Sequence, residues 1–169
     1  EGEELSVMAL VDGETVAVLE PSRDHKAIGD GDTGPNTGGM GAFSPSRLLT
    51  RRTYEQIEER VLIPVVHAMA REGRPFRGIL YAGLMIDKAG QPRTVEFNAR
   101  LGDPEAQVIL MRLKSDLFEV LMHATGGTLD KVELQWDRRT ALGVVMAAHG
   151  YPAAPRKGDV IHRLAPEAD

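Results

Sequence analysis

The dipeptide Asp12-Gly13 stands between two mostly apolar runs, Leu5 to Val11 and Thr15 to Leu19, and this feature most narrows what the chain can become. Asp-Gly suits the tight reversal of a hairpin, so the two runs are expected to pair as antiparallel strands. A second pair is expected from Gly78 to Asp87 and Pro92 to Phe97, turned by Lys88-Ala89-Gly90-Gln91 and ending at Asn98. From Thr53 to about Arg71, Ile57, Val61, Val65 and Met69 recur every fourth position, which stacks them on one helix face. Pro64 removes a backbone hydrogen bond inside that helix, so a kink or break is expected near Ile63.

Further along, Asp103 as cap, Pro104 as first helical residue and Glu105 in the first turn predict a helix running to Leu113. Ser115 is the expected cap of another helix through Leu117, Leu121 and Met122, closed by Gly126-Gly127. After Leu129 the pattern changes to short strands, Ala141 to Ala148 and Asp159 to Leu164, around a Tyr151-Pro152 turn. A second domain is expected there, dividing the chain into 1–127 and 128–169. The stretch from Pro21 to Pro45 has no apolar period and reads as a long loop, of a length that is usually functional.

Composition removes several function classes. The 169 residues include no cysteine, which excludes disulfides, thiolate catalysis and cysteine-based zinc sites. Twenty Lys and Arg against 25 Asp and Glu leave a net charge of -5, the wrong sign for broad binding to a phosphate backbone, so no nucleic-acid partner is expected. No segment approaches the ~20 apolar residues that span a bilayer, so no membrane partner is expected and a cytoplasmic location is. The chain starts at Glu1 rather than Met and ends at Asp169 without a terminal helix, and both ends read as cuts through a longer chain.

The most chemical segment is Glu96-Phe97-Asn98-Ala99-Arg100. On a strand Glu96, Asn98 and Arg100 share a face opposite Phe97. A carboxylate beside an amide oxygen can hold Mg²⁺, whose remaining ligands are water and nucleotide phosphate. The same residues also suit a solvated polar strand end, and spacing leaves both readings open. In Asp30 to Gly41, glycines can let successive N–H groups converge on an anion, with Thr33, Asn36 and Thr37 as further donors; a flexible surface loop is the alternative. Gly29 to Gly34 matches G-x-G-x-x-G but puts carboxylates where a pyrophosphate would lie and runs into Pro35 rather than a helix. A calcium loop starting at Asp30 fails as well, with Pro35 at its sixth position and Gly41 where a bidentate Glu is required. In Asp24-His25-Lys26, Lys26 could neutralise a phosphoryl group and His25 could carry a proton, though such neighbours are more often just exposed.

Taken in order, Asp24-His25-Lys26, Asp32 through Pro45, Leu80 through Asp87, Glu96 through Glu105, Leu142 through Ala148 and Gly158 through His162 resemble the phosphoribosylamine–glycine ligase (glycinamide ribonucleotide synthetase) family of the ATP-grasp superfamily. The resemblance implies an α+β fold: the C-terminal half of an ATP-grasp domain, an antiparallel sheet with packed helices, followed by the start of a small β-rich domain. It implies that ATP phosphorylates glycine and that the amine of 5-phosphoribosylamine attacks the glycyl phosphate, giving glycinamide ribonucleotide, ADP and phosphate in purine (IMP) biosynthesis. Glu96 and Asn98 would hold Mg²⁺ or Mn²⁺, and Lys26 and Arg100 would contact the phosphates. Asp32, Thr33, Gly34, Asn36, Thr37, Gly38, Gly39, Asp103 and Glu105 would shape the acceptor pocket. Leu101 stands where Phe is common in the family, an apolar exchange that leaves the ligands intact. The family's N-terminal domain, ATP lid and adenine hinge would precede Glu1, so this chain is expected to be inactive alone and the complete enzyme a monomer. Another ATP-grasp carboxylate–amine ligase and a non-catalytic fragment are the alternatives.

Overall fold

The computed structural model describes residues 2–162. Two hairpins form as their sequences predict and join into one antiparallel sheet, in the order β2-β1-β5-β6. Its strands are β1 (Gly2–Asp12), β2 (Val16–Val18), β5 (Arg77–Asp87) and β6 (Pro92–Asn98). β1 is central and buried from Leu5 to Asp12. Leu5, Val7, Ala9 and Val11 point to one core, where they meet Ile57, Val61, Leu62 and Val66. Met8 and Leu10 point to the other, against Val108, Ile109 and Val120. A strand covered on both faces needs a nearly unbroken apolar run, and each large side chain so buried contributes about 1.5–3 kcal/mol.

The stretch expected to be a loop is instead a two-stranded ribbon, β3 (Arg23–Gly29) and β4 (Thr33–Ser44). Its ladder runs from Arg23↔Phe43 to Gly29↔Thr33 through register shifts around Ala27. The tip turns through Gly31 and Asp32, both left-handed with φ of 68° and 62°. Backbone pairing requires no side-chain period, so glycine-rich strands leave no apolar signature to read. β7 (Ala141–Val144) adds to β4 and makes a 3-stranded sheet, order β3-β4-β7. At that seam a Cβ on Gly41 would lie 2.6 Å from the Gly143 carbonyl oxygen, so the close approach requires glycine. The bridge Ser6↔Ser22, with both N–H···O bonds at 3.0 Å, ties the two sheets together.

The first helical segment is α1 (Arg51–Ile57), a π-helical turn (Glu58–Leu62) and α2 (Ile63–Arg71). The interruption expected near Ile63 is this π turn, which lies just ahead of Pro64 and accommodates its missing donor. The wider turn shifts the inward face: Ile57 and Val61 are buried as expected, but Leu62 and Val66 follow them instead of Val65 and Met69. α3 (Glu105–Arg112) begins without an Asp103 cap, because the Asp103 carboxylate accepts from Gln107 Nε2 at 2.8 Å. α4 (Leu117–Gly126) is capped by Asp116, which accepts from the Glu119 N–H at 3.1 Å, and closed by left-handed Gly127. Ser115 Oγ accepts from the Gln135 N–H at 2.8 Å and so is not the cap. Leu129 and Ala141 lie in the same core as Met8, so residues after 127 pack onto the first part. Residues 159–162 form no strand, and the rest of that expected strand, from Arg163, lies outside the described residues. No described helix is long and apolar enough to cross a membrane.

Asp12 does more than turn the first hairpin. Its Oδ1 accepts from the N–H groups of Thr15 at 2.7 Å and Glu14 at 3.1 Å, and its Oδ2 from Leu129 at 3.0 Å. Burial pushes this carboxyl up, but the three backbone donors and Arg77 outweigh it and hold it below the usual range. Asp12→Ala is expected to cost about 2–3 kcal/mol in urea unfolding. Because the folded pKa is depressed, the stabilisation is complete above the unfolded value of about 3.9 and lost as pH falls through the lower folded one. Wild type should therefore lose stability below about pH 4 more steeply than Asp12→Asn; equal slopes would rule the effect out.

Candidate active site

On the face of the first sheet that carries Met8 and Leu10, the register aligns Ser6, Gly83 and Glu96 in one row and Met8, Tyr81 and Asn98 in the next. Glu96 and Asn98 thus share a face, as their spacing requires, and Asn98 Nδ2 donates to Glu96 Oε1 at 3.1 Å. This bond uses neither Asn98 Oδ1 nor the second carboxylate oxygen of Glu96, both hard oxygen donors that fit a divalent cation such as Mg²⁺ or Mn²⁺. Among the described residues no group of three or more acidic or histidine side chains gathers to hold a metal. A cation here would therefore take most of its shell from water and phosphate, the usual habit of Mg²⁺.

Lys26 reaches the same place from the ribbon. Its Nζ lies 2.9 Å from Glu4 Oε2 and 3.9 Å from Asp24 Oδ2. A cavity of about 150 Å³ is lined by Glu4, Ser6, Lys26, Tyr81, Gly83 and Glu96, together with apolar Leu5, Leu84 and Val95. Burial alone would lower the Lys26 pKa, but the bond to Glu4 and the charges of Asp24, Glu4 and Glu96 raise it above the ordinary lysine value. Lys26 is therefore a fixed cation at neutral pH. Burial raises the Asp24 carboxyl against the opposing effect of Lys26, with Glu105 and Glu4 adding to the rise.

The other sequence-predicted residues distribute over distinct places. Asp32 and Asn36 line a second cavity that shares Glu4 and Lys26 with the first and adds Arg23, Asp24 and His25. Gly38, Gly39 and Asp103 line a third, with Met146 and Tyr151. Thr33 and Gly34 are exposed near the ribbon tip, where Thr33 Oγ1 donates to Asp30 O at 2.8 Å. Thr37 Oγ1 donates to Lys26 O at 2.8 Å and accepts from the Gly39 N–H at 3.0 Å, while the Gly38 N–H donates to Tyr151 Oη at 3.3 Å. The amides of Gly38 and Gly39 are thus engaged within the protein. Arg100 donates to Leu101 O at 2.9 Å and does not line the Lys26–Glu96 cavity. Glu105 is 3% exposed and accepts from Tyr81 Oη at 3.0 Å and Ser6 Oγ at 3.2 Å.

Sequence reasoning missed Glu4, Ser6, Tyr81 and Gly83. The signal available was the alternation of β1, where Glu4 and Ser6 are the polar members of a face continued by Met8 and Leu10.

The family described as phosphoribosylglycinamide synthetase, ATP-grasp (A) domain, matches residues 1–106. The chain belongs to this ATP-grasp family. A relative from Ralstonia nicotianae named phosphoribosylamine–glycine ligase is 52% identical over 99% of this chain and 40% of its own length. The crystal structure of a phosphoribosylamine–glycine ligase from Thermotoga maritima superposes with a TM-score of 0.84 at 40% identity, covering 94% of this chain and 39% of that one. An L-amino acid ligase from Bacillus licheniformis, at 19% identity and a TM-score of 0.60 over 88% of this chain and 35% of its own, shares the fold. The antiparallel sheets and packed helices are thus those of an ATP-grasp fold, and the chain spans about 40% of the length of the curated relatives it matches.

Proposed function

We propose that this chain supplies the metal and phosphate side of an enzyme that ligates glycine to 5-phosphoribosylamine at the expense of ATP, by way of glycyl phosphate, in purine biosynthesis. The observation that carries the reading is the similarity to phosphoribosylamine–glycine ligases over essentially the whole chain. The cavity supports it, since Lys26 and Glu96 are adjacent there although they come from different sheets.

Glu96 and Asn98 would hold Mg²⁺ or Mn²⁺, which when bound supplies charge neutralisation at the phosphates. Lys26, kept protonated by its carboxylate neighbours, offers a cation to the transferring phosphoryl group. Arg100, exposed beside this strand end, is a further candidate for phosphate contact. Asp32, Asn36, Gly38, Gly39 and Asp103 line the neighbouring cavities and are assigned to the acceptor side, with Thr33, Gly34 and Thr37 along the same ribbon. Glu105 acts from below, through the side chains it anchors. A division after Gly127 into the ATP-grasp part and the start of a further domain belongs to the same proposal, supported by the change of sequence pattern after Leu129. A cytoplasmic, monomeric enzyme without nucleic-acid partners completes it.

The test is an assay of the full-length protein with ATP, Mg²⁺, glycine and 5-phosphoribosylamine. Equimolar ADP and glycinamide ribonucleotide are expected; ATP turnover with a different acceptor and none with these would overturn the assignment.

A further inference from the structure

The cavity floor has an unusual construction. Gly83 lies directly opposite Glu96 across the β5–β6 ladder, and Tyr81 directly opposite Asn98. A Cβ built on Gly83 would stand 3.2 Å from Glu96 Cγ and 3.5 Å from Tyr81 Cε1. The stem of Glu96 and the edge of the Tyr81 ring therefore border the same space, which Gly83 leaves without a side chain to fill it. Wherever the ring is fixed, one side of the space open to the Glu96 stem is fixed too.

The ring is itself held from below. Tyr81 is 7% exposed, and its hydroxyl lies 3.0 Å from Glu105 Oε1 and 2.8 Å from Ser6 Oγ. Ser6 Oγ in turn donates to the same carboxylate oxygen at 3.2 Å. Glu105 can reach this point because Gly102 makes room for it: a Cβ there would lie 2.6 Å from Cδ and from both carboxylate oxygens. A buried carboxylate has few directions to turn when its partners are two buried hydroxyls on adjacent strands. Glu105, at the start of α3, thus holds the Tyr81 hydroxyl, and the Tyr81 ring borders the same open space at Gly83 that the Glu96 stem borders.

We propose that Tyr81, anchored by Glu105, is a positioning residue that confines the side chain of Glu96 for a divalent cation, with Gly83 as the gap that both border. This rests on the reading of Glu96 as a metal ligand. Altering side chains that hydrogen-bond a metal ligand commonly changes metal affinity about 10–100-fold, and a side chain that only confines the ligand should fall at the low end of that range. A part that only supported the fold would leave affinity unchanged once folding is complete.

The test is direct titration of the full-length protein with Mn²⁺, following free Mn²⁺ by electron paramagnetic resonance, for wild type, Tyr81→Phe, Gly83→Ala and Glu96→Gln, each checked for folding by circular dichroism. Tyr81→Phe keeps the ring and removes its anchor, and is expected to weaken Mn²⁺ binding about tenfold, with kcat at saturating metal changed much less. Gly83→Ala, which presses a methyl against Glu96 Cγ while leaving the phenol intact, is expected to weaken it too and guards against a folding failure of the first variant. If Glu96→Gln weakens binding while folded Tyr81→Phe and Gly83→Ala both match wild type, the positioning role is overturned and the metal reading stands. If Glu96→Gln itself binds as wild type does, the metal reading fails and takes the proposal with it.

Discussion

Replacing Arg112 with alanine is expected to destabilise the fold by about 3–5 kcal/mol. Arg112 is 4% exposed at the end of α3. Its Nη1 donates to Ser44 Oγ at 2.8 Å and Glu20 Oε2 at 3.2 Å. Its Nε donates to Arg139 O at 2.9 Å, and its Nη2 to Asp137 O at 2.9 Å. One guanidinium therefore joins α3 to the end of β4, to the segment before β3 and to the approach to β7. Alanine would leave those acceptors without their donor as well as opening a cavity. The carbonyls and Ser44 decide the magnitude more than the ion pair does, because the Glu20 side chain is 31% exposed and can turn to water. Arg112→Lys should recover only part, since one ammonium cannot span acceptors arranged for a planar fork. The measurement is the urea midpoint of both variants against wild type. A loss under about 1 kcal/mol for the alanine variant would show that the network does not hold these elements together.

That network also marks where sequence reading stops. The hairpins at Asp12-Gly13 and Lys88-Ala89-Gly90-Gln91 were legible because a turn signal and two apolar runs lie within a few residues of one another. The ribbon was not, because its ladder pairs the backbones of residues such as Gly29, Asn36 and Gly41, which carry no apolar period. Helix ends were read to within a residue or two, but the capping choice between Ser115 and Asp116 depended on Gln135, which is remote in sequence and draws Ser115 away. The juxtaposition of Glu96 with Asn98 follows from a period of two and was open to view. That of Glu96 with Lys26 follows from how two sheets meet at the Ser6–Ser22 bridge, and only a resemblance across the whole chain pointed to it. Glu105 shows the same limit more sharply. As part of Asp103-Pro104-Glu105 it reads as a helix start, yet its burial is set by Ser6 and Tyr81, which no local pattern connects to it.

In the full-length protein, Lys26→Met is expected to lower kcat by about 10²–10³ while changing stability by less than about 1 kcal/mol. The separation follows from where Lys26 stands. Its ion pair with Glu4 is solvated, the two side chains being 39% and 47% exposed, and pairs of that kind contribute little to folding. Within the cavity, however, it is the only cation among the lining residues, set among Glu4 and Glu96 with Asp24 behind it. Removing it leaves a carboxylate-lined space that repels a phosphoryl group as its charge redistributes. A neutral side chain of similar length keeps the packing and removes the charge, so the loss isolates electrostatics from shape. Lys26→Arg keeps the charge and should retain more activity than the methionine variant, though a planar fork will not reproduce the position of a point charge. If Lys26→Met turned over within about threefold of wild type, the cation in this cavity would not be acting on phosphate, and its bond to Glu4 would be the whole of its role.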